Sequence, residues 1–165
     1  MAECQVDVSV IASNGQPIGP FSFFGVFDGH GGRSAAIFCR DNMPNVLFDE
    51  VKKQSEIERA LHAAFLRTDE MFIKGDGVRP VDNGAASAGH AAVASQRPSN
   101  SSGTTASTLL IDHRTRRLWA ANAGDSRVVL CRAGQALSLT KDHKADRPDE
   151  IDRIRKAGGM VRAFA

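Results

Sequence analysis

The run Phe21-Ser22-Phe23-Phe24-Gly25-Val26-Phe27 stops abruptly at Asp28-Gly29-His30-Gly31-Gly32. An apolar, aromatic-rich stretch of this length reads as a buried strand. The glycines behind it let backbone come close to whatever sits at its end. A chain with this run must therefore place a buried strand beside an exposed turn that carries a carboxylate and an imidazole. Asp28 and the neighbouring carbonyls are oxygen donors suited to a hard divalent cation. Histidine is the common side chain suited to exchanging protons near neutral pH, and His30 brings one to this turn. Asp-Gly is also a common turn dipeptide. Read alone, the segment is either a metal-holding turn or simply a tight turn after a strand.

The rest of the chain supplies the elements around that turn. Residues 6–11 alternate weakly through Val6, Val8 and Val10 and read as a strand. Asn14-Gly15 and Pro17 mark a turn that would join it in a hairpin to residues 21–27, a strand expected to be buried on both faces. A helix is expected from Arg33, ending or kinking before Pro44, since proline disfavours helix in the residue ahead of it. Ser55 with Glu58 fits a capping box. Ile57, Ala60, Leu61, Ala64, Phe65 and Phe72 follow as a helical stripe that reads as core. Residues 75–102 are rich in Gly, Ala, Ser, Asn and Pro and read as a flexible surface loop, in which His90 has no assigned role. Beyond it, residues 105–111, 118–123, 127–132 and 136–140 are short apolar segments. They are separated by the turn candidates His113-Arg114-Thr115, Gly124-Asp125 and Ala133-Gly134, a spacing that predicts an antiparallel meander. A last helix begins near Pro148, carries Asp149 and Glu150 in its first turn and stops at Gly158-Gly159. Helices and strands that are segregated rather than alternating indicate an α+β fold.

Composition excludes some partners. The 165 residues suffice for one domain, with 42% hydrophobic and 24% charged residues. A net charge of +2 with scattered basic residues gives no basis for a nucleic-acid or membrane partner. No apolar run is long enough to span a bilayer, and no signal-peptide pattern opens the sequence. Cys4, Cys39 and Cys131 have no metal-like spacing and fit free thiols in a reducing compartment, with Cys39 and Cys131 expected in the core. The expected setting is intracellular, cytoplasmic or nuclear.

Five segments coincide with one family pattern, in order. Phe23-Phe24-Gly25-Val26-Phe27-Asp28-Gly29-His30-Gly31-Gly32 resembles the signature of the metal-dependent protein serine/threonine phosphatases of type 2C. Ser102-Gly103-Thr104-Thr105-Ala106, Asn122-Ala123-Gly124-Asp125-Ser126-Arg127 and Leu139-Thr140-Lys141-Asp142-His143-Lys144 are similar to its next three motifs. Glu150, Arg153-Ile154, Ala157-Gly158-Gly159 and Val161 are similar to a fifth.

This resemblance implies an antiparallel β-sandwich flanked by helices, with two Mg²⁺ or Mn²⁺ ions at one end. It implies phosphorylated protein substrates, from which phosphoserine and phosphothreonine are hydrolysed by a metal-activated water. By motif position, Asp28 would bridge both metals, the Gly29 carbonyl would ligate one, and His30 would be the general acid. Asp142 matches a position that helps hold a third metal in some members. Asp125 is expected to support the site from behind, and Arg127 to pair with a carboxylate structurally. Ser102 and Thr104 are expected to be structural, not nucleophilic.

The pattern also has departures. The family's phosphate-gripping arginine and following Glu-Asp pair have only Ala2-Glu3 near their place, so Glu3 stands in for one carboxylate. The family pattern continues past the fifth motif with further strands and two aspartates. Residues 1–165 are therefore expected to be part of a catalytic domain, with an incomplete sandwich and exposed sheet edges that favour self-association. A pseudophosphatase or phosphoprotein- and kinase-binding module is the alternative expectation.

Overall fold

The computed structural model describes residues 1–75 and 102–162, with residues 2–7 as backbone only. Four strands form one antiparallel sheet: β1 (Ala2–Ile11), β2 (Pro17–Val26), β5 (Ala106–Asp112) and β6 (Arg117–Ala123), in the order β1-β2-β5-β6. Two short pairs accompany it. One joins β3 (Gly29–His30) to β4 (Gly103–Thr104), and the other joins β7 (Val129–Arg132) to β8 (Gln135–Ser138). The helices are α1 (Ser34–Lys53), α2 (Ile57–Lys74) and α3 (Pro148–Lys156). The architecture is α+β and antiparallel, as the sequence leads one to expect. The stretch read as a loop falls almost wholly on residues 76–101, outside the described residues, and takes His90 with it.

Among the described residues, helices pack on one face of the main sheet and leave the other partly exposed. Phe23, Leu110 and Trp119 lie side by side across β2, β5 and β6. This row packs with Val10 and Phe21 against Val46, Leu47, Phe48 and Val51 of α1 and Ala60, Leu61 and Ala64 of α2. Fully burying side chains such as Phe23, Leu47 and Leu110 contributes roughly 1.5–3 kcal/mol each. Trp119 Nε1 also donates to the Glu58 carboxylate at 2.9 Å, tying β6 to α2. On the other face Phe24 and Val26 are 36% and 54% exposed. The expectation that residues 21–27 are buried on both faces therefore fails, because helices cover one side of β2 only.

Four further expectations need correction. Helix α1 continues past Pro44 instead of ending before it, and Pro44 is itself fully buried. An internal proline costs about 3 kcal/mol. Burial of Met43, Val46, Leu47, Phe48 and Val51 around it outweighs that cost. Helix α2 starts at Ile57 with Glu56, not Ser55, at the cap position and no side-chain cap hydrogen bond, and the Glu58 carboxylate accepts from Trp119 instead of closing a capping box. The meander breaks after β6: at Gly124, with φ +94°, the chain leaves the sheet, and β7 pairs only with β8. Cys131 lies on that hairpin and is exposed, whereas Cys39 is partly buried. Burial, with Asp69 nearby, pushes the Cys39 thiol up to about 11.

Candidate active site

The antiparallel pairing of Val26 with Ser107 brings the end of β2 against the start of β5. Asp28 and Thr105 are thereby joined across 77 residues of chain. The Asp28 N–H donates to Thr105 Oγ1 at 3.3 Å, and the Thr105 N–H donates to the Asp28 carbonyl at 2.8 Å. Thr105 Oγ1 in turn lies 2.8 Å from Ser126 Oγ, within hydrogen-bond reach. Beneath the turn a small cluster of Phe27, Ala36, Met43 and Ala106 anchors it, with Phe27 completely buried. Only the Asp28 backbone is engaged among the described residues, and its carboxylate stands exposed.

Gly29 and His30 continue as β3, opposite Thr104 and Gly103. His30 is exposed, with its ring against the Gly103 backbone. Ser102 reaches the other way: its Oγ accepts from the Ala35 N–H at 3.1 Å and fills the missing cap of α1. Helix N-termini leave such N–H groups unpaired unless a side chain takes them. The Ser102–Thr105 segment thus holds the Asp28 backbone, the His30 ring and the first turn of α1.

Residues 6–165 match the sequence pattern of the family described as Protein phosphatase 2C. The chain belongs to the protein phosphatase 2C family. It is 38% identical over 159 residues to Probable protein phosphatase 2C 32 of Oryza sativa subsp. japonica, covering 93% of this chain and 34% of that protein. It is 39% identical over 141 residues to Probable protein phosphatase 2C 2 of Paramecium tetraurelia, covering 85% of this chain and 44% of that protein. The chain thus spans between a third and a half of the relatives' length. A solved structure, of a C. elegans sex determining protein, superposes on the whole chain with a TM-score of 0.66 at 18% identity, over 40% of its own length. That likeness concerns the fold alone.

Within this phosphatase 2C chain, Asp28, Gly29 and His30 stand together at one sheet end. The backbone of Glu3 lies opposite Gly25, near that end, and its side chain is outside the described residues. Asp142 lies elsewhere in its contacts: its carboxylate, 14% exposed, accepts from Arg127 Nε at 2.7 Å. The Arg127 hydrogen bond holds the Asp142 carboxyl below the usual carboxylate range, and Arg127 has the structural partner expected of it. Asp125 is exposed between Gly124, which packs on Thr105, and Ser126, which meets the Thr105 hydroxyl. Glu150 is buried and gripped by Arg153 at 2.7 and 3.0 Å, which lowers its pKa. A cleft of about 540 Å³ opens beside it, lined by Asn122, Gly124 and His143, and Asp28 and His30 are not part of its wall.

The fit to divalent cations is one of kind. Asp28 and the Gly29 carbonyl are hard oxygen donors at an exposed strand end, the chemistry Mg²⁺ and Mn²⁺ prefer. In number they fill only part of two coordination shells, and no group of three or more His, Cys, Asp or Glu forms among the described residues. Asp28 and His30 stand out in the sequence by their chemistry. The contacts that Gly103, Thr105 and Ser126 make around them have no sequence signal beyond motif order.

Proposed function

We propose that the protein containing this stretch hydrolyses phosphoserine and phosphothreonine in proteins with Mg²⁺ or Mn²⁺, residues 1–165 forming part of its catalytic domain. The observation that carries this reading is the joint presentation of Asp28, Gly29 and His30 at one exposed sheet end, in a chain of the phosphatase 2C family. Two bound cations supply a more acidic water and neutralise charge on the phosphoryl oxygens. The Asp28 carboxylate and the Gly29 carbonyl would hold them, and Glu3 on the neighbouring strand would add a further carboxylate. Asp142 would have to exchange Arg127 for a cation to serve as a ligand. His30 donates a ring proton to the departing serine or threonine oxygen. The free Cys39 and Cys131 thiols suit a reducing cytoplasm or nucleus.

In the full-length protein, Mn²⁺-dependent turnover of a phosphothreonine peptide should vanish in Asp28→Asn and fall by about 10²-fold or more in His30→Ala. Full activity in Asp28→Asn would sink the reading. For the 165 residues by themselves a second reading has support, because so few metal donors come together among the described residues. Alone, the chain would be a catalytically impaired module that still recognises phosphoproteins or a kinase. Calorimetry on it should give Mn²⁺ affinity in the millimolar range with little turnover of p-nitrophenyl phosphate. Robust turnover that depends on Asp28 would reject this second reading.

A further inference from the structure

Gly103 faces His30 across the β3–β4 pair. A Cβ placed on Gly103 would lie 2.4 Å from His30 Cε1, 2.6 Å from Nε2 and 3.3 Å from Nδ1. Real Cβ atoms do not approach other heavy atoms below about 3 Å, so any side chain here collides with the imidazole. The backbone gives no competing reason for glycine. Gly103 is not among the positive-φ residues, whereas Gly31 and Gly32 are, at +63° and +134°. The first three atoms that a Cβ would meet all belong to the His30 ring.

Nor can the segment easily retreat. Ladder pairing to β3 holds it on one side, and the Ser102 hydroxyl bonded to Ala35 N–H of α1 holds it on the other. We propose that Gly103 is a positioning residue: its bare backbone is the seat that sets the His30 ring in place to deliver a proton. This rests on the reading of His30 as the proton donor. The ring is the far end of a side chain free to turn about two bonds. A methyl group at 103 therefore swings the ring off its seat while the fold survives.

The test is a double-mutant cycle in the full-length protein, labelled with ¹³C-histidine. Gly103→Ala should lose the nuclear Overhauser contact between the His30 ring and residue 103. Its Tm should drop by no more than about 4 °C. Its kcat on a phosphothreonine peptide should fall on the order of 10- to 100-fold, the scale for a group displaced by about 1 Å, with KM and the Mn²⁺ midpoint unchanged. In a His30→Ala background the same substitution should cost nothing further in Tm or kcat, because the colliding ring is gone. Wild-type kcat in Gly103→Ala, or an equal Tm loss in both backgrounds, rejects the proposal. If Gly103→Ala does not fold, recovery of folding on adding His30→Ala supports the seat, and continued failure rejects it. If His30→Ala alone keeps wild-type kcat, the proton-donor role fails. The ring contact and the Tm cycle then still decide whether Gly103 seats the ring.

Discussion

The Thr105 hydroxyl is an atom shared by motifs that are far apart in the chain. It accepts from the Asp28 N–H at 3.3 Å and meets Ser126 Oγ at 2.8 Å, in a residue only 9% exposed. Valine has the same shape without the oxygen, so Thr105→Val leaves two polar groups short of a partner. It should cost about 1–3 kcal/mol in chemical denaturation. Weaker Mn²⁺ binding by the full-length protein should accompany that loss, as the Asp28 turn loosens, and Thr105→Ser should restore most of both. Gly124 is tied to the same residue, since a Cβ there would sit 2.8 Å from Thr105 Cγ2. Asp28 and His30 were legible in the sequence because carboxylates and imidazoles carry chemistry wherever they stand. Gly103 and Thr105 were not, because their importance comes from contacts that only the folded chain makes.

Among the elements, α1 shows how packing overrules local preference. Pro44→Ala restores an N–H and removes a strain of about 3 kcal/mol, but deletes buried ring carbons worth about 0.8 kcal/mol each plus a cavity. The two effects should leave thermal stability within about 1 kcal/mol of wild type, whereas Leu47→Ala should cost about 2–5 kcal/mol. Near the end of α1, Glu50 accepts from Lys53 and from Arg67 of α2, both at 2.9 Å. The Lys53 hydrogen bond holds its carboxyl below the usual range, against burial, which pushes it up. A depressed folded pKa means that the unfolded chain binds more protons. The stabilisation is therefore complete above the ordinary carboxylate range and lost as pH falls through the folded value. Melting curves from pH 7 down to pH 3 should show Glu50→Gln less stable than wild type by about 1 kcal/mol near neutrality, with the gap closing in acid. The hairpin of β1 and β2, the stripe of α2 and the Pro148 start of α3 followed the sequence because periodicity and turn residues agree there. The run through Pro44 and the break at Gly124 did not, because burial around Pro44 and the contact of Gly124 with Thr105 are made only in the folded chain, and the shift of the α2 cap from Ser55 to Glu56 has no signal in the sequence.

At the scale of the whole molecule, the sheet leaves Phe24, Val26, Leu109, Ile111 and Leu118 on the face away from α1 and α2. Val26 and Leu118 are 54% and 42% exposed. The 165-residue chain alone should therefore associate as its concentration rises, and Val26→Lys with Leu118→Lys should suppress this in sedimentation velocity. A strictly monomeric chain over the whole concentration range would count against that expectation. The long connection between β2 and β5 has another consequence. Asp28 and Thr105, 77 residues apart, meet only when the chain carrying α1 and α2 between them has folded back on itself. A cut between residues 76 and 101 would leave Asp28 and His30 on one fragment and Gly103 and Thr105 on the other, so that reassembly of the two pieces could itself be read out as renewed contact between them.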